Sequence, residues 1–207
     1  MKLQEYQAAE IFKDYNIPFA EGYLIESPEE IKEVNQPVVL KSQVRVGKRG
    51  KAGGILFAEN REEAVEKAEE LFNKKIRGLD VEKILVAEKV DIIDEYYVGM
   101  VMDRESGKPT LIMTTEGGMN IEEVAEEHPD KIGKKQIDPI LGLKTYDAMD
   151  LADSIGLEGK ELVQMTKIAK RLYKAFDKYD GELAEINPLV LTDDGLLAID
   201  AFFNIDN

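Results

Sequence analysis

Three side chains near the carboxyl end could hold or move a phosphate: Glu185, Asn187 and Asp200 punctuate "GELAEINPLVLTDDGLLAIDAFF". A turn containing Asp194-Gly195 divides the stretch. All three residues sit inside segments that alternate like β-strands. If the loop is Thr192–Gly195, Leu191 pairs with Leu196 and Asn187 falls opposite Asp200. If it is only Asp194–Gly195, Asp200 becomes a diagonal neighbour of Asn187. Opposite and diagonal-by-two positions share a face. Either register therefore puts Asn187 and Asp200 together, and Glu185 joins them two residues upstream. The other face, with Ala184, Ile186, Val190, Leu197 and Ile199, reads as core; the polar face also carries Leu183, Leu189, Leu196 and Ala198.

Carboxylates and an amide among apolar residues are costly to bury unpaired. Clustered hard oxygens suit Mg²⁺, which commonly takes one or two protein ligands and fills its octahedron with phosphates and water. A plain Asn–Asp hydrogen bond at the sheet end is the alternative.

A second stretch points to the anion that such a metal would accompany. "KSQVRVGKRGKAGG", residues 41–54, places Arg45, Lys48, Arg49 and Lys51 among glycines, in a chain of net charge -15. From Val34 to Ala58 there is no acid, where chance would place about five. Such a local reversal of sign focuses the field on a small anion. The stretch is not a Walker A loop, since that motif needs glycine at 45 and Ser or Thr at 52. It links two strands, as a Gly-rich hairpin loop whose N–H groups could close over a polyphosphate. Lys41 differs: it lies on the strand itself, behind Val38, Val39 and Leu40. A solvated loop rich in Gly and Lys is the plain alternative.

The elements that must position these residues are legible in outline. "LQEYQAAEIFKDYNIP" has helical spacing and ends at Asn16 and Pro18. "SPEEIKEV" predicts a helix with Ser27 as N-cap and Glu30 completing a capping box. "EGYLIES", "PVVLKSQV", "GILFAE", "VEKILVAEKV", "EYYVGMVMDR" and "TLIMTT" predict strands. Helices are expected at 61–76, capped by Asn60, at about 146–155, and at 158–178, the last with Leu162, Met165, Ile168, Ala169, Leu172, Tyr173 and Phe176 on one face. The stretch 116–142 is less regular, "TEGG" at 115–118 reads as a turn, and Tyr96-Tyr97 as half core. Hairpins mixed with helices argue α+β.

Composition narrows the class further. Apolar residues make up 43% of the 207 and charged residues 33%, enough for a packed core. Cysteine is absent, and the single histidine, His128, lies in a polar segment with no second ligand beside it. The acidic balance argues against nucleic acid or an acidic membrane surface as partner. No signal segment or ~20-residue apolar run is present, so a cytoplasmic protein is expected.

Together "EYQAAEIFKDYNIP", "VVLKSQVRVGKRGKAGG", "ILVAEKVDIIDEYYVGMVMDR", "TEGGMNIEEVA", "IDPILGL" and "AEINPLV" resemble the ATP-grasp portion of the succinyl-CoA synthetase (ADP-forming succinate–CoA ligase) beta-subunit family. The resemblance runs nearly the whole length. It implies an ATP-grasp fold, with a nucleotide held between two α+β lobes: a small one over 21–90 and a large one joining 1–20 to 91–207. It implies that Lys41 contacts phosphates, that Lys48, Arg49 and Gly50 cover them, and that the strand 84–90, including Ala87 and Val90, offers main-chain contacts to the base. Glu95 matches a nucleotide-binding glutamate, Asn187 and Asp200 match Mg²⁺ ligands, and Glu185 matches a glutamate used near a phosphohistidine.

The implied cofactors are ATP and Mg²⁺. The implied partner is an alpha subunit whose histidine receives the phosphate of ATP, so His128 has no part in it. Ala20 leans to ATP, because GTP-specific relatives carry Gln near that position. Three residues depart from the family pattern: Lys48 for Gly, Ala87 for Glu, and Phe202 for Lys. Family members also run on into a flavodoxin-like domain, which would begin about where this chain reads "NIDN"; that CoA-ligase domain is expected to be absent. Two alternatives stay open: the same subunit of an acetate, malate or citrate–CoA ligase, and a domain that folds without binding nucleotide.

Overall fold

A glutamine pair starts the first helix. The Gln4 N–H donates to Gln7 Oε1 at 3.0 Å, and the helix α1 runs Glu5–Asp14 with Ala8 and Phe12 buried. Asn16 ends it in the left-handed region, φ 62°, a conformation that Asn tolerates better than most residues. The computed structural model describes residues 1–46 and 49–206. These form two compact units, Ala20–Asp91 and a unit joining Met1–Phe19 to Ile92–Asn207.

The smaller unit is built from β1 (Gly22–Ile25), β2 (Val38–Ser42), β3 (Ile55–Ala58), α2 (Arg61–Phe72), the short pair β4 (Lys75–Ile76) and β5 (Leu79–Asp80), and β6 (Ile84–Glu88). Its antiparallel sheet has the order β1-β6-β2-β3. Asn60 caps α2 by accepting from the Glu63 N–H at 2.9 Å. Ala64, Ala68 and Leu71 of α2 pack with Leu40, Ile84 and Val86 in one core. The helix expected from Ser27 is instead a single 3-10 turn, Pro28–Glu30. Ile31 is already extended there, the Lys32 N–H donates to Tyr23 Oη at 3.0 Å, and Glu30 spends its carboxylate on the Glu26 N–H. Competing contacts on both sides stop the helix after one turn.

The larger unit continues with β7 (Asp94–Asp103), β8 (Lys108–Thr114), α3 (Ile121–Glu127), β9 (Ile132–Gln136), α4 (Thr145–Ser154), α5 (Gly159–Lys178), β10 (Gly181–Thr192), β11 (Gly195–Ala198) and β12 (Phe202–Ile205). Its sheet has the order β11-β10-β7-β8-β9, with β12 also paired to β10. The apolar stripe of α5, including Met165, Ile168, Leu172 and Phe176, packs against Val98, Met100, Ala184, Ile186 and Phe203.

Four strands depart from the sequence reading: the helix expected to reach Ile76 ends at Phe72, β4 and β5 follow it, and β9 and β12 are the other two. The strand β9, "IGKKQ", hides in the less regular stretch because Lys134, Lys135 and Gln136 are exposed on the edge of the sheet; charged residues there protect an open edge and mask the alternation. The strand β12 reads in the sequence as the tail of the hairpin, but a break at Ile199–Ala201 separates it from β11.

Candidate functional site

The register of the last strands brings the three polar residues to one level. Leu191 pairs with Leu196 and Leu189 with Ala198 on β11, while Glu185 pairs with Phe202 on β12. Asn187 and Asp200 lie between these pairs, where both partners leave regular pairing. On the other side, β10 slips by one residue against β7 between Ile186 and Leu189. Pro188 has no N–H to give a ladder at that point.

The slip corrects the expected faces. Before it, Ala184 and Ile186 point into the helical core; after it, Leu189, Leu196 and Ala198 do so. Val190 and Leu197, expected in that core, are not part of it. A bulge inverts the alternation of every residue beyond it. The polar cluster thus sits at the inversion, where side chains are freed from strict alternation.

Glu185 is half-buried. It accepts a hydrogen bond from Tyr97 Oη at 3.1 Å. Burial pushes its carboxyl above the ordinary glutamate range; the Tyr97 bond opposes this, and the charges of Asp200 and Glu122 add to it. Tyr97 is itself 1% exposed, and burial pushes its phenol well up, the Glu185 charge helping. Its ring reaches Glu185 by lying over Gly99, the cross-strand partner of Glu185. A Cβ at Gly99 would stand 2.3 Å from Tyr97 Oη. Tyr97 is therefore more than half core, and the sequence held one signal of this, the glycine two residues on.

Asn187 is held at both ends of its amide. Its Oδ1 accepts from the Gly118 N–H at 2.9 Å, and its Nδ2 donates to the Met119 carbonyl at 2.8 Å. "TEGG" is thus no plain turn: it packs on the site. Asp200 Oδ1 accepts the Ala201 N–H at 2.8 Å. Glu95, on β7, is half-buried, and its carboxylate lies against Gly118. Asn187 and Asp200 present oxygens alone, and the carboxylates of Glu185 and Asp200 repel each other. Among the described residues no group of three His, Cys, Asp or Glu could hold a metal unaided. The oxygens of Asn187 and Asp200 are of the kind that fits Mg²⁺, which would draw its remaining ligands from phosphate and water.

In the smaller unit, Lys41 is 6% exposed on β2, paired with Ile55 and Leu85. Arg49 is also buried, and donates through Nη1 to the Ser42 carbonyl at 3.2 Å. The residue expected to cover phosphates is thus hydrogen-bonded to the strand that carries Lys41. Gly50 is exposed and begins a 3-10 turn, Gly50–Ala52. Ala87 is buried opposite Val39. Val90 lies past the end of β6, which stops at Glu88. Lys48 falls outside the described residues. His128 is exposed, and among the described residues no helix is long and apolar enough to cross a membrane.

Comparison with known proteins places this geometry. The chain is 48% identical over its whole length to the succinate–CoA ligase [ADP-forming] subunit beta of Methanocaldococcus jannaschii, covering 58% of that protein. It is 44% identical, again over its whole length, to the succinate–CoA ligase [GDP-forming] subunit beta of Thermus thermophilus, covering 56% of it. The chain therefore spans little more than half the length of these relatives. Among solved structures, the dinucleotide-forming acetyl-coenzyme A synthetase 1 of Ca. Korarchaeum cryptofilum superposes with a TM-score of 0.76 at 21% identity, covering 99% of this chain and 93% of that one. That structure holds coenzyme A, acetyl-coenzyme A and a phosphorylated phosphohistidine segment, and the likeness is one of fold. The family model for the ATP-grasp domain matches residues 2–191, and the chain belongs to the ATP-grasp domain family.

Proposed function

We propose that this chain is the Mg·ATP-binding, phosphoryl-transferring part of an ADP-forming succinate–CoA ligase beta subunit, and that it phosphorylates a histidine on a separate alpha subunit. The observation that carries the reading is the assembly of Glu185, Asn187 and Asp200 at the shared break of β10 with β11 and β12. The 48% identity to an ADP-forming beta subunit supports it, as does the presence of a phosphohistidine segment in a protein of the same fold.

In this reading Lys41 contacts the phosphates of the nucleotide. Arg49 and Gly50 lie over them at the start of the turn, with the Arg49 side chain holding that turn to β2. The main chain of 84–90 meets the base, and Glu95 the ribose. Asn187 and Asp200 would hold Mg²⁺, which when bound neutralises charge on the phosphates. Glu185 accepts the imidazole N–H of the alpha-subunit histidine, leaving the other nitrogen aimed at the γ-phosphorus. The N–P bond forms as the bond to the ADP oxygen breaks, and positioning supplies most of the rate. Tyr97 holds the Glu185 carboxylate in place for such a partner and opposes the burial that pushes it upward.

Ala20 favours ATP, although the similar relatives include a GDP-forming subunit. The acid is selected outside this chain, so an acetate, malate or citrate ligase would use the same half-reaction. Calorimetric titration of ATP into the chain, with Mg²⁺ and with EDTA, tests the reading. Binding is expected with Mg²⁺, weakened at least ~30-fold in a Lys41→Ala, Asp200→Ala double variant. No binding at millimolar ATP, or equal binding by the variant, overturns it.

A further inference from the structure

The double glycine after β8 does more than turn the chain. We infer that Gly117–Gly118–Met119 is a positioning element that sets Asn187 and Glu95 together, so that metal and nucleotide bind as one coupled unit. The inference rests on the proposed roles of those two residues, Asn187 toward Mg²⁺ and Glu95 toward the nucleotide.

The segment is pinned to β7 by close backbone contact. The Gly117 N–H donates to the Glu95 carbonyl at 2.9 Å. A Cβ at Gly117 would stand 2.5 Å from the Glu95 carbonyl carbon and from the Tyr96 nitrogen. Only glycine permits that approach, because the obstacles are main chain and cannot rotate aside. One residue on, Gly118 has φ 70°, a conformation that other residues rarely adopt. A Cβ there would stand 2.1 Å from Glu95 Oε2. The carboxylate of Glu95 thus packs into the space that the missing side chain leaves. On the β8 side, the Glu116 N–H donates to Thr114 Oγ1 at 3.1 Å, and the Glu116 carboxylate pairs with Lys131.

The same two residues orient Asn187. Its oxygen meets the Gly118 N–H at 2.9 Å and its nitrogen meets the Met119 carbonyl at 2.8 Å. Flipping the amide would set donor against donor and acceptor against acceptor, so the oxygen is fixed by the segment. A carbonyl oxygen has two acceptor directions, and the second remains for a cation. Glu95 and Asn187 are therefore braced by one short piece of backbone. Displacing it moves both, and a ligand that orders one orders the other. Such coupling is reciprocal: Mg²⁺ tightens nucleotide binding by the factor by which nucleotide tightens Mg²⁺.

The test is calorimetric titration of ADP into the full chain, with Mg²⁺ and with EDTA, for the wild type and for Gly118→Ala. In the wild type Mg²⁺ tightens ADP binding, and in Gly118→Ala that tightening shrinks at least ~tenfold. A segment with a merely structural role would weaken binding equally under both conditions, and that result overturns the inference. If Gly118→Ala gives no cooperative melt, hydrogen exchange in the wild type decides. The Gly118 amide should exchange more slowly with Mg·ADP than with ADP and EDTA, and equal exchange overturns the inference. A wild type that binds no nucleotide overturns the proposed function and this inference with it. A wild type that binds, beside a Gly118→Ala that keeps the full Mg²⁺ effect, overturns this inference alone.

Discussion

Glu185 and Tyr97 show how one residue is prepared by another. The carboxylate is pushed upward by burial and by Asp200, and the phenol at 3.1 Å is the group that stabilises its charge. Tyr97→Phe removes that donor from a buried site. A hydrogen bond to a charged group is worth about 1.5–3 kcal/mol, and water reaching the half-exposed carboxylate offsets part of it. The variant should lose about 1–2 kcal/mol in urea unfolding, with the ring's packing retained. Its phosphotransfer should fall while nucleotide affinity stays within about twofold of wild type, because Tyr97 touches Glu185 and not the nucleotide residues. Gly99→Ala should resemble it, since the new methyl would sit where the Tyr97 hydroxyl now lies. Both glycines that matter here, Gly99 and Gly118, clear room for another residue's side chain rather than for a turn alone.

At the scale of elements, the most informative join is that of β2 to the turn ahead of β3. The Ser42 N–H donates to the Gly54 carbonyl at 2.8 Å, and the Gly54 N–H reaches the Arg49 carbonyl at 2.9 Å. Among the described residues the buried Ser42 hydroxyl has no hydrogen-bond partner, and a Cβ at Gly54 would stand 2.4 Å from it. A buried polar atom without a partner costs about 1–3 kcal/mol. Ser42→Ala should therefore raise stability by about 1 kcal/mol, read as the shift of the urea midpoint at constant slope. Gly54→Ala should destabilise, and less so in the Ser42→Ala background, because the two changes share one contact. In the larger unit, the break in β10, β11 and β12 is the element-level event that creates the site. It turns the strand faces over and leaves Asn187 and Asp200 where neither strand is regular.

Over the whole molecule, charge dominates the expected solution behaviour. A net charge of -15 makes the chain repel itself. Of the cations in the acid-free window, Lys41 and Arg49 are buried while Arg45 and Lys51 are exposed. Raising potassium chloride from about 10 to 300 mM shortens the Debye length several-fold. The melting temperature should rise with it, and a flat or falling response would mean that long-range repulsion contributes little. At fixed salt, Mg·ATP at about 100 times its Kd should add about 2.7 kcal/mol, or roughly 5–10 °C. The rise should follow ligand concentration and vanish with EDTA.

The sequence by itself determined what depends on local pattern. The α5 stripe, the Asn60 cap, most strands, and the pairing of Leu191 with Leu196 as one of two registers were legible, because helix and strand periods and short hairpins are set by nearby residues. Asn187 and Asp200 could be matched across the last hairpin for the same reason. Tertiary structure decided the rest. The slip at Asn187 arises from pairing with β7, some ninety residues away in sequence, and it overturned the assignment of the core face. The clamp of Gly118 and Met119 on Asn187 joins positions 68 and 69 apart, and the Tyr97–Glu185 bond spans 88. No local propensity encodes such contacts. They exist because a sheet brings distant strands within 5 Å of each other, and the glycines that admit them look like ordinary turn residues until the neighbouring strand is in place.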